Sequence, residues 1–327
     1  RQLTDYCLEH GLGINRCGKL VVAKNPDEWA TLDALLARAR HNGVELQSIT
    51  EQEAREIEPR VLTCERALFS PSTASVDPRE VMGSFVSHAK RAGIRIRTGT
   101  TYLGKKGGVV RTTRGDISAG YVINAAGLYA DQVAQDYGFS SRYRILPFKG
   151  LYLYANKSVA PLRTNVYPVP DLRNPFLGVH HTATLDGQTK IGPTAIPCFW
   201  REHYKGLGNF RLGEFLEAIG REAELLIRND VGFRTLAWDE MQNMYRPRII
   251  ALAAQLISGM RPEHYTRWGA PGIRAQLLDM QTRELEMDFK MEGDDRSFHI
   301  LNAVSPAFTC AMSFTEYALE QIELLLK

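Results

Sequence analysis

The sequence predicts a mixed α/β protein, with a doubly wound layer and a second, mixed or antiparallel sheet. Residues 78–135 read as helix, strand, hairpin, strand and helix, which is typical of half of a doubly wound nucleotide-binding domain carrying an inserted β-meander. Residues 145–195 alternate short apolar runs with Pro, Asn, Asp and Gly, which favours a mixed or antiparallel sheet. Strands return at 266–301, so we expect the second sheet to be inserted into the first domain.

Composition narrows the class of protein. The chain has 327 residues, 44% hydrophobic and 24% charged, which is a globular profile with enough length for two cores. The net charge of +3 indicates neither nucleic acid nor a membrane surface as partner. The sequence contains no apolar run of about 18 residues, so no helix that crosses a bilayer is predicted. The five cysteines are scattered and lack a Cys-x-x-Cys pair, which argues against a disulfide framework and fits a reducing compartment.

The first 113 residues carry clear start and stop signals. Helices are predicted at 2–10, from Asn25, from Thr50 and from Asp77, strands at Lys19–Ala23 and Ile94–Arg97, and a hairpin at Tyr102–Thr113. Asn25 is a good N-cap, and Pro26 suits the first turn of a helix. Thr50 and Glu53 have the spacing of a capping box, which predicts a short helix that ends before Pro59.

A short buried strand at Tyr121–Asn124 runs directly into Ala125, Ala126 and Gly127, and a helix follows. Because these three residues carry almost no side chain, a ligand or another backbone segment can come close. Ligands of open α/β sheets bind beyond the carboxyl ends of the strands. From these residues alone, a ligand site and an ordinary strand–turn–helix joint are both open.

The second half of the chain predicts three further helices, at 211–228, 246–257 and 308–326. The candidate packing residues of the last helix are Met312, Tyr317, Leu319, Ile322 and Leu325. Ser305-Pro306 leads into this helix, and free N–H groups at a helix start suit an anion or an electron-rich ring oxygen. A plain capped surface helix is the alternative interpretation.

Two side chains are candidates for binding or chemistry. Arg274 lies in an apolar strand of small residues, where an unpaired charge is costly, so its partner is a substrate carboxylate or a structural Asp or Glu. His180 and His181 point to opposite faces of a strand and do not chelate a metal together, so no metal site is expected. No Gly-x-Gly-x-x-Gly motif follows a strand, and the other common nucleotide- and metal-binding motifs are missing from the sequence.

Several segments occur in an order that is characteristic of one family. They are Gly18–Ala23, Val122–Asp131, Pro147–Gly150, Tyr167–Asp171, Pro175–His180, Ile191–Ala195, Arg201-Glu202, Gly272–Gln276 and Asn302–Thr309. In this order they resemble the L-2-hydroxyglutarate dehydrogenase/oxidase family, which belongs to the larger group of FAD-dependent oxidoreductases similar to D-amino-acid oxidase. The resemblance covers nearly the whole chain.

The resemblance implies a fold and a reaction. The fold is a glutathione-reductase-type FAD domain at 60–144 and 266–327, interrupted by a substrate domain with a mixed sheet at 10–59 and 145–265. The reaction is oxidation of L-2-hydroxyglutarate to 2-oxoglutarate, with hydride transfer to FAD and electrons passed to a quinone or another acceptor. The implied location is cytoplasmic, with peripheral contact to the inner membrane as a further option. An amino acid or glycerol 3-phosphate as substrate is the alternative, as is a non-catalytic fragment that needs an N-terminal partner piece.

The resemblance also implies roles for individual residues. The residues implied to approach FAD are Ala125, Ala126, Gly127, Ser305, Pro306, Ala307 and Thr309. Arg274 matches the arginine that binds the substrate α-carboxylate. His180 is the candidate base for the hydroxyl proton, since an imidazole can accept a proton near neutral pH. A hydrogen-bonded structural histidine is the alternative for His180. Lys149 and Tyr167 are expected to line the pocket.

The sequence departs from the family pattern at its start. The family begins with a strand and a Gly-x-Gly-x-x-Gly loop that holds the pyrophosphate, and Arg1 corresponds to a later point of that pattern. We therefore expect these 327 residues alone to bind FAD weakly or not at all. Titration of the purified chain with FAD, followed by flavin absorbance after desalting, measures this directly. Retention of one flavin per chain would contradict the expectation.

Overall fold

A computed structural model describes residues 1–171, 178–228, 238 and 240–327. The helices are α1 Gln2–Glu9, α2 Trp29–His41, α3 Glu51–Ile57, α4 Pro78–Arg91, α5 Ala130–Asp136, α6 Leu212–Arg228, α7 Arg246–Ala253 and α8 Ala311–Leu325. The strands of the first half are β1 Ile14–Asn15, β2 Lys19–Val22, β3 Gln47–Thr50, β4 Arg66–Ser70, β5 Ser75–Val76, β6 Tyr102–Lys106, β7 Val109–Thr112, β8 Ile117–Ser118 and β9 Val122–Asn124. The remaining strands are β10 Tyr143–Gly150, β11 Leu153–Tyr154, β12 Asn165–Pro168, β13 His180–Ala183, β14 Thr189–Gly192, β15 Ile196–Pro197, β16 Arg267–Trp268, β17 Gly272–Asp279, β18 Lys290–Gly293 and β19 Ser297–Asn302. This mixture of helix and sheet confirms the predicted fold class.

The largest sheet has eight strands in the order β16-β11-β14-β13-β12-β2-β4-β3. Strands β2 and β12 are parallel, and the other neighbours are antiparallel, so the predicted mixed sheet is confirmed. One face of it carries apolar residues of the core, including Leu20, Val22 and Val166. Side chains alternate along a strand, so Lys19, Val21 and Tyr167 lie on the other face. This second face also carries His180, another candidate site residue.

Three sheets of three strands each and the two-stranded sheet β1-β5 contain the remaining strands. Strand β9 lies parallel to β19, which pairs with β18. Strands β6, β7 and β8 form the predicted meander. Strand β10 pairs along its whole length with β17 and also with β15. The division into two domains stays a prediction; strand β4, which it places with the FAD domain, lies in the eight-stranded sheet.

The local helix signals are confirmed by hydrogen bonds. The Asn25 side chain accepts from the Asp27 N–H at the start of a 3-10 turn that leads into α2. Thr50 and Glu53 form the capping box that starts α3. The Asp77 side chain accepts from the Arg79 N–H at the start of α4. In the described part of the chain, no helix is both long enough and apolar enough to cross a membrane.

Four predictions about elements were wrong. Residues 94–97 form no strand, and Ile94 is 59% exposed, because no strand among the described residues pairs with this segment. The last helix begins at Ala311, after a series of turns, and not near Ser305-Pro306. Among its candidate packing residues Ile322 is buried as predicted, together with Ala318, whereas Tyr317, Leu319 and Leu325 are exposed. The strand predicted as buried at Tyr121–Asn124 exposes Ile123 at its edge, 52% accessible. The predicted run Leu177–His180 falls partly outside the described residues, and its strand begins at His180.

Candidate functional site

Two neighbouring parallel strands end in the same direction. Strand β9 ends at Asn124, which pairs with His299 of β19, and β19 continues three residues further, to Asn302. Residues 125–127 follow one end and residues 303–305 follow the other. The two segments that the resemblance implies to approach FAD therefore follow the carboxyl ends of neighbouring parallel strands. This edge is the position at which open α/β sheets bind their ligands.

Asn124 organises the turn that follows β9. Its buried side-chain oxygen accepts from the Ala126 N–H at 3.1 Å, and its amide nitrogen donates to the Ala130 carbonyl at 2.8 Å. The same amide lies 3.1 Å from His299 Nδ1. Because the amide is the donor there, Nδ1 accepts and Nε2–H donates to Ser297 Oγ at 3.1 Å. Burial lowers the pKa of His299 to about 4, so it stays neutral in this arrangement.

The small residues after Asn124 leave the strand end open. Ala125, Ala126 and Gly127 are all exposed. Gly127 has a φ of +56°, and a Cβ added there would meet no atom within 4 Å. The glycine is therefore required by its backbone conformation, and there is free space beside it. Small side chains next to free space fit one wall of a cofactor site.

The second segment differs from its predicted geometry. The N–H groups of Ala307 and Thr309 donate to the carbonyls of Val304 and Pro306, at 2.8 and 3.0 Å. They are therefore not the free donors that a helix start at Ser305-Pro306 would provide. Ser305, Pro306 and Thr309 are exposed, and Ala307 is half-buried. This segment presents exposed, mostly small side chains beyond the end of β19. The expectation of free helix N–H groups at Ala307 and Thr309 was wrong.

His180 and Tyr167 are stacked on the face of the eight-stranded sheet that also carries Val21. Their ring centroids are 3.8 Å apart on the neighbouring strands β13 and β12. His180 Nδ1 lies 3.0 Å from the Gly178 carbonyl, which can only accept, so Nδ1 carries the proton and Nε2 carries a lone pair. Burial, followed by the positive charges of nearby residues, lowers the pKa of His180 to about 3. The imidazole is therefore neutral near pH 7.

Arg274 lies on β17 opposite Phe148 of β10. Its Nε donates to Gln276 Oε1 at 2.9 Å, and the fully buried Gln276 is held by the Glu286 carbonyl, to which its amide donates at 2.5 Å. Gln276 therefore fixes the direction of the guanidinium. Gln276 belongs to the family segment Gly272–Gln276, but the sequence alone predicted no role for it. The signal was available, because residues two apart on a strand share a face.

Lys149 does not share a face with Arg274. Strand register pairs Lys149 with Ile273 and Phe148 with Arg274, and neighbouring residues on a strand point to opposite faces. Burial lowers the pKa of Lys149, and its charge acts on Cys198 and His203. Lys149 and Arg274 therefore point to opposite faces of the β10–β17 strand pair.

A close junction connects the sheet of His180 with the ladder of Arg274. Strand β10 continues into β11 and β14 continues into β15, and the Leu151 N–H donates to Thr194 Oγ1 across the junction at 3.1 Å. His180 pairs with Gly192 at its edge. Gly192 has a φ of +132°, and a Cβ there would lie 2.5 Å from the Leu151 carbonyl oxygen. Only glycine fits this position without moving the junction.

A buried ion pair that the sequence did not reveal supports the site. Arg201, 3% exposed, binds both carboxylate oxygens of the fully buried Asp131, at 2.8 and 2.9 Å. Asp131 also accepts from the Ile145 N–H at 3.0 Å. The pair ties helix α5, which follows the small-residue turn, to β10 and to the segment after β15. The two residues are 70 positions apart, so no local pattern predicted the pair.

Comparisons with known proteins agree with this arrangement. A family model described as FAD dependent oxidoreductase matches residues 1–316. The mitochondrial L-2-hydroxyglutarate dehydrogenase of Bos taurus is 31% identical over 98% of this chain and 73% of its own length. An Escherichia coli protein named L-2-hydroxyglutarate dehydrogenase is 30% identical over all of this chain and 78% of its own length. The FAD-bound L-alpha-glycerophosphate oxidase of Mycoplasma pneumoniae has a similar fold, with a TM-score of 0.70 at 18% identity over 95% of this chain and 74% of that one. The chain therefore belongs to the family of FAD-dependent oxidoreductases, and its relatives within that family include proteins named L-2-hydroxyglutarate dehydrogenase.

Proposed function

We propose that this enzyme oxidises L-2-hydroxyglutarate to 2-oxoglutarate. The names of relatives at about 30% identity support this substrate. The observation that carries the proposal is the stacked His180, which is neutral, buried and fixed by the Gly178 carbonyl. Its Nε2 lone pair has no hydrogen-bond partner among the described residues, and a base for a hydroxyl proton needs such an atom.

His180 and Arg274 have different roles toward the substrate. Arg274, directed by Gln276, binds the α-carboxylate, and a guanidinium suits a carboxylate because two parallel hydrogen bonds form. His180 Nε2 accepts the hydroxyl proton as the hydrogen leaves C2. Tyr167 holds the imidazole ring by stacking. Lys149 lies on the opposite face of the ladder from Arg274 and remains a candidate for another wall of the pocket.

The cofactor site lies at the edge formed by β9 and β19. The residues that we propose to contact FAD there are Ala125, Ala126, Gly127, Ser305, Pro306, Ala307 and Thr309. When bound there, FAD would supply the acceptor for the hydride that leaves C2. The small side chains allow a planar group to approach the strand ends closely. Electrons then pass to a quinone or another electron-transfer partner, and we propose a cytoplasmic location with peripheral contact to the inner membrane.

Anaerobic mixing of the enzyme, kept loaded by excess FAD, with single substrates tests the proposal. We expect L-2-hydroxyglutarate to bleach the flavin, and the D isomer, glycine and glycerol 3-phosphate to leave it oxidised. The D isomer is the matched control, because it has the same charge and composition and presents its C2 hydrogen differently. Bleaching by glycine or glycerol 3-phosphate, with none by the L-hydroxy acid, would contradict the proposed substrate and favour the alternative.

A further inference from the structure

Two lysines lie on the same sheet face as His180 and Tyr167. Lys19 of β2 is in register with Asn165 of β12, and Lys190 of β14 is in register with Thr182 of β13. Residues in register across strands share a face, and the next position on that face is two residues along. Tyr167 lies two residues beyond Asn165 on β12, and His180 lies two residues before Thr182 on β13, so both are on this face. The two lysines therefore stand on either side of the stacked pair.

Both ammonium groups lean toward aromatic rings beside His180. Lys19 Nζ is 5.3 Å from the centroid of the Tyr167 ring. Lys190 Nζ is 4.8 Å from the centroid of the Tyr152 ring, on the other side of His180. Both positive charges act on His180. The two ammonium groups thus flank His180, one on the side of Tyr167 and the other on the side of Tyr152.

Neither lysine has a counter-charge in the described part of the chain. Both side chains are half-buried, and the ion pairs of the described residues do not include them. Burial lowers the pKa of Lys19 and of Lys190, which shows that each pays a desolvation cost as a cation. A cation–π contact with a tyrosine ring offsets only part of such a cost. Two desolvated cations on one face form a site for an anion.

We propose that Lys19 and Lys190 bind the second carboxylate of a dicarboxylate substrate and so select 2-hydroxy diacids over monoacids of the same length. The inference rests on the proposed function, in which Arg274 takes the α-carboxylate. It adds the residues that recognise the far end of the substrate. A diacid then meets three cations spread over two adjoining sheets, whereas a monoacid leaves the two lysines without a partner.

The same arrangement affects the proposed base. After burial, the charges of His181, Lys190 and Lys19 contribute to the lowered pKa of His180. A carboxylate bound by the lysines compensates two of these charges. The substrate that the lysines recognise therefore makes His180 a better proton acceptor than it is in the empty enzyme. Recognition of the second carboxylate and proton transfer are coupled through charge.

Calorimetric titration of the holoenzyme with 2-oxoglutarate and with 2-oxopentanoate tests the inference. The two acids have the same length and differ in the second carboxylate. We expect Lys19→Met and Lys190→Met each to weaken 2-oxoglutarate binding by roughly 10–100-fold, the range for a lost charge-assisted hydrogen bond, and to change 2-oxopentanoate binding less than about 2-fold. Methionine keeps the apolar stem against the tyrosine ring. Lys19→Arg and Lys190→Arg keep the charge and should retain most of the preference.

Lys106→Met, on the exposed strand β6, is the matched control and should change neither affinity. Thermal melting of each variant confirms that the protein remains folded. Equal weakening of both acids, or unchanged binding of both, in the Lys19 and Lys190 variants would overturn the assignment to the second carboxylate. Failure of the parent holoenzyme to bind either acid would instead overturn the proposed function, and this inference with it.

Discussion

Asp131→Ala is expected to lower the free energy of unfolding by about 3–5 kcal/mol, because the buried Arg201 loses two short hydrogen bonds and keeps only Glu217, 4.0 Å away, as a counter-charge. Arg201 is 3% exposed and also donates to the Leu128 carbonyl, so it has little freedom to turn toward water. The loss also removes the acceptor of the Ile145 N–H. Chemical denaturation with urea, followed by circular dichroism, measures the change.

The Arg66–Asp33 pair provides the matched control for this prediction. Asp33 is 59% exposed, so its ion pair is solvated. We expect Asp33→Ala to cost less than about 1 kcal/mol, as is usual for surface ion pairs. The double variant Asp131→Ala/Arg201→Met should recover part of the loss, because it removes the buried charge. A cost for Asp131→Ala no greater than that for Asp33→Ala would show that the buried pair does not stabilise the fold.

Signals between neighbours in the chain were predictable. The side chains of Thr50 and Glu53 each accept a hydrogen bond from the other residue's backbone N–H within one turn. The spacing of the two residues alone therefore identified the helix start. The same holds for Asn25 and Asp77, whose side chains accept from N–H groups two residues ahead. In each case the partner is supplied by the local sequence, and the distant parts of the fold do not alter it.

Elements that depend on distant partners were harder to predict. Ile94–Arg97 has the pattern of a strand, but a strand forms only where a neighbour supplies hydrogen bonds, and the pattern does not show whether the neighbour exists. The start of the last helix depends on the Pro306 carbonyl, which accepts from the N–H groups of both Thr309 and Cys310. Those turns delay the helix until Ala311.

The candidate site also combines features that local motifs predict with features that depend on distant parts of the chain. Family resemblance made His180, Arg274 and the small residues after Asn124 candidates, because each belongs to a recognisable motif. It did not show that Lys19 shares a face with His180, since β2 becomes the neighbour of β12 only through the sheet order. It also did not show that Lys149 and Arg274 face apart, which follows from the register of β10 and β17. Register and strand order are properties of the assembled sheet.

His180→Phe is expected to slow flavin reduction by L-2-hydroxyglutarate by about 10²–10⁴-fold, the usual contribution of a general base. Phenylalanine keeps a ring stacked on Tyr167 and removes the Nε2 lone pair. The neighbouring His181 is the control, because it faces the opposite side of the sheet and bonds to the Ala253 carbonyl at 2.9 Å. His181→Gln retains a donor for that carbonyl and should leave the rate of the folded enzyme within about 3-fold, since it touches no proposed reacting atom. A His180→Phe enzyme that reduces its flavin at the parent rate would exclude His180 as the base.

The pH dependence of stability gives a second, independent readout on His180. Burial lowers the pKa of His180 in the folded protein to about 3, whereas a histidine in the unfolded chain titrates near 6.5. Below about pH 6.5 the unfolded state therefore binds a proton that the folded state does not, so stability falls as the pH decreases toward 3. His180→Phe removes this contribution, and its stability should fall less steeply than that of the parent over the same interval. A parallel loss of stability in both proteins would mean that His180 is not held neutral by burial. The argument for Nε2 as a ready acceptor at neutral pH would then fail, whatever the rate of the variant.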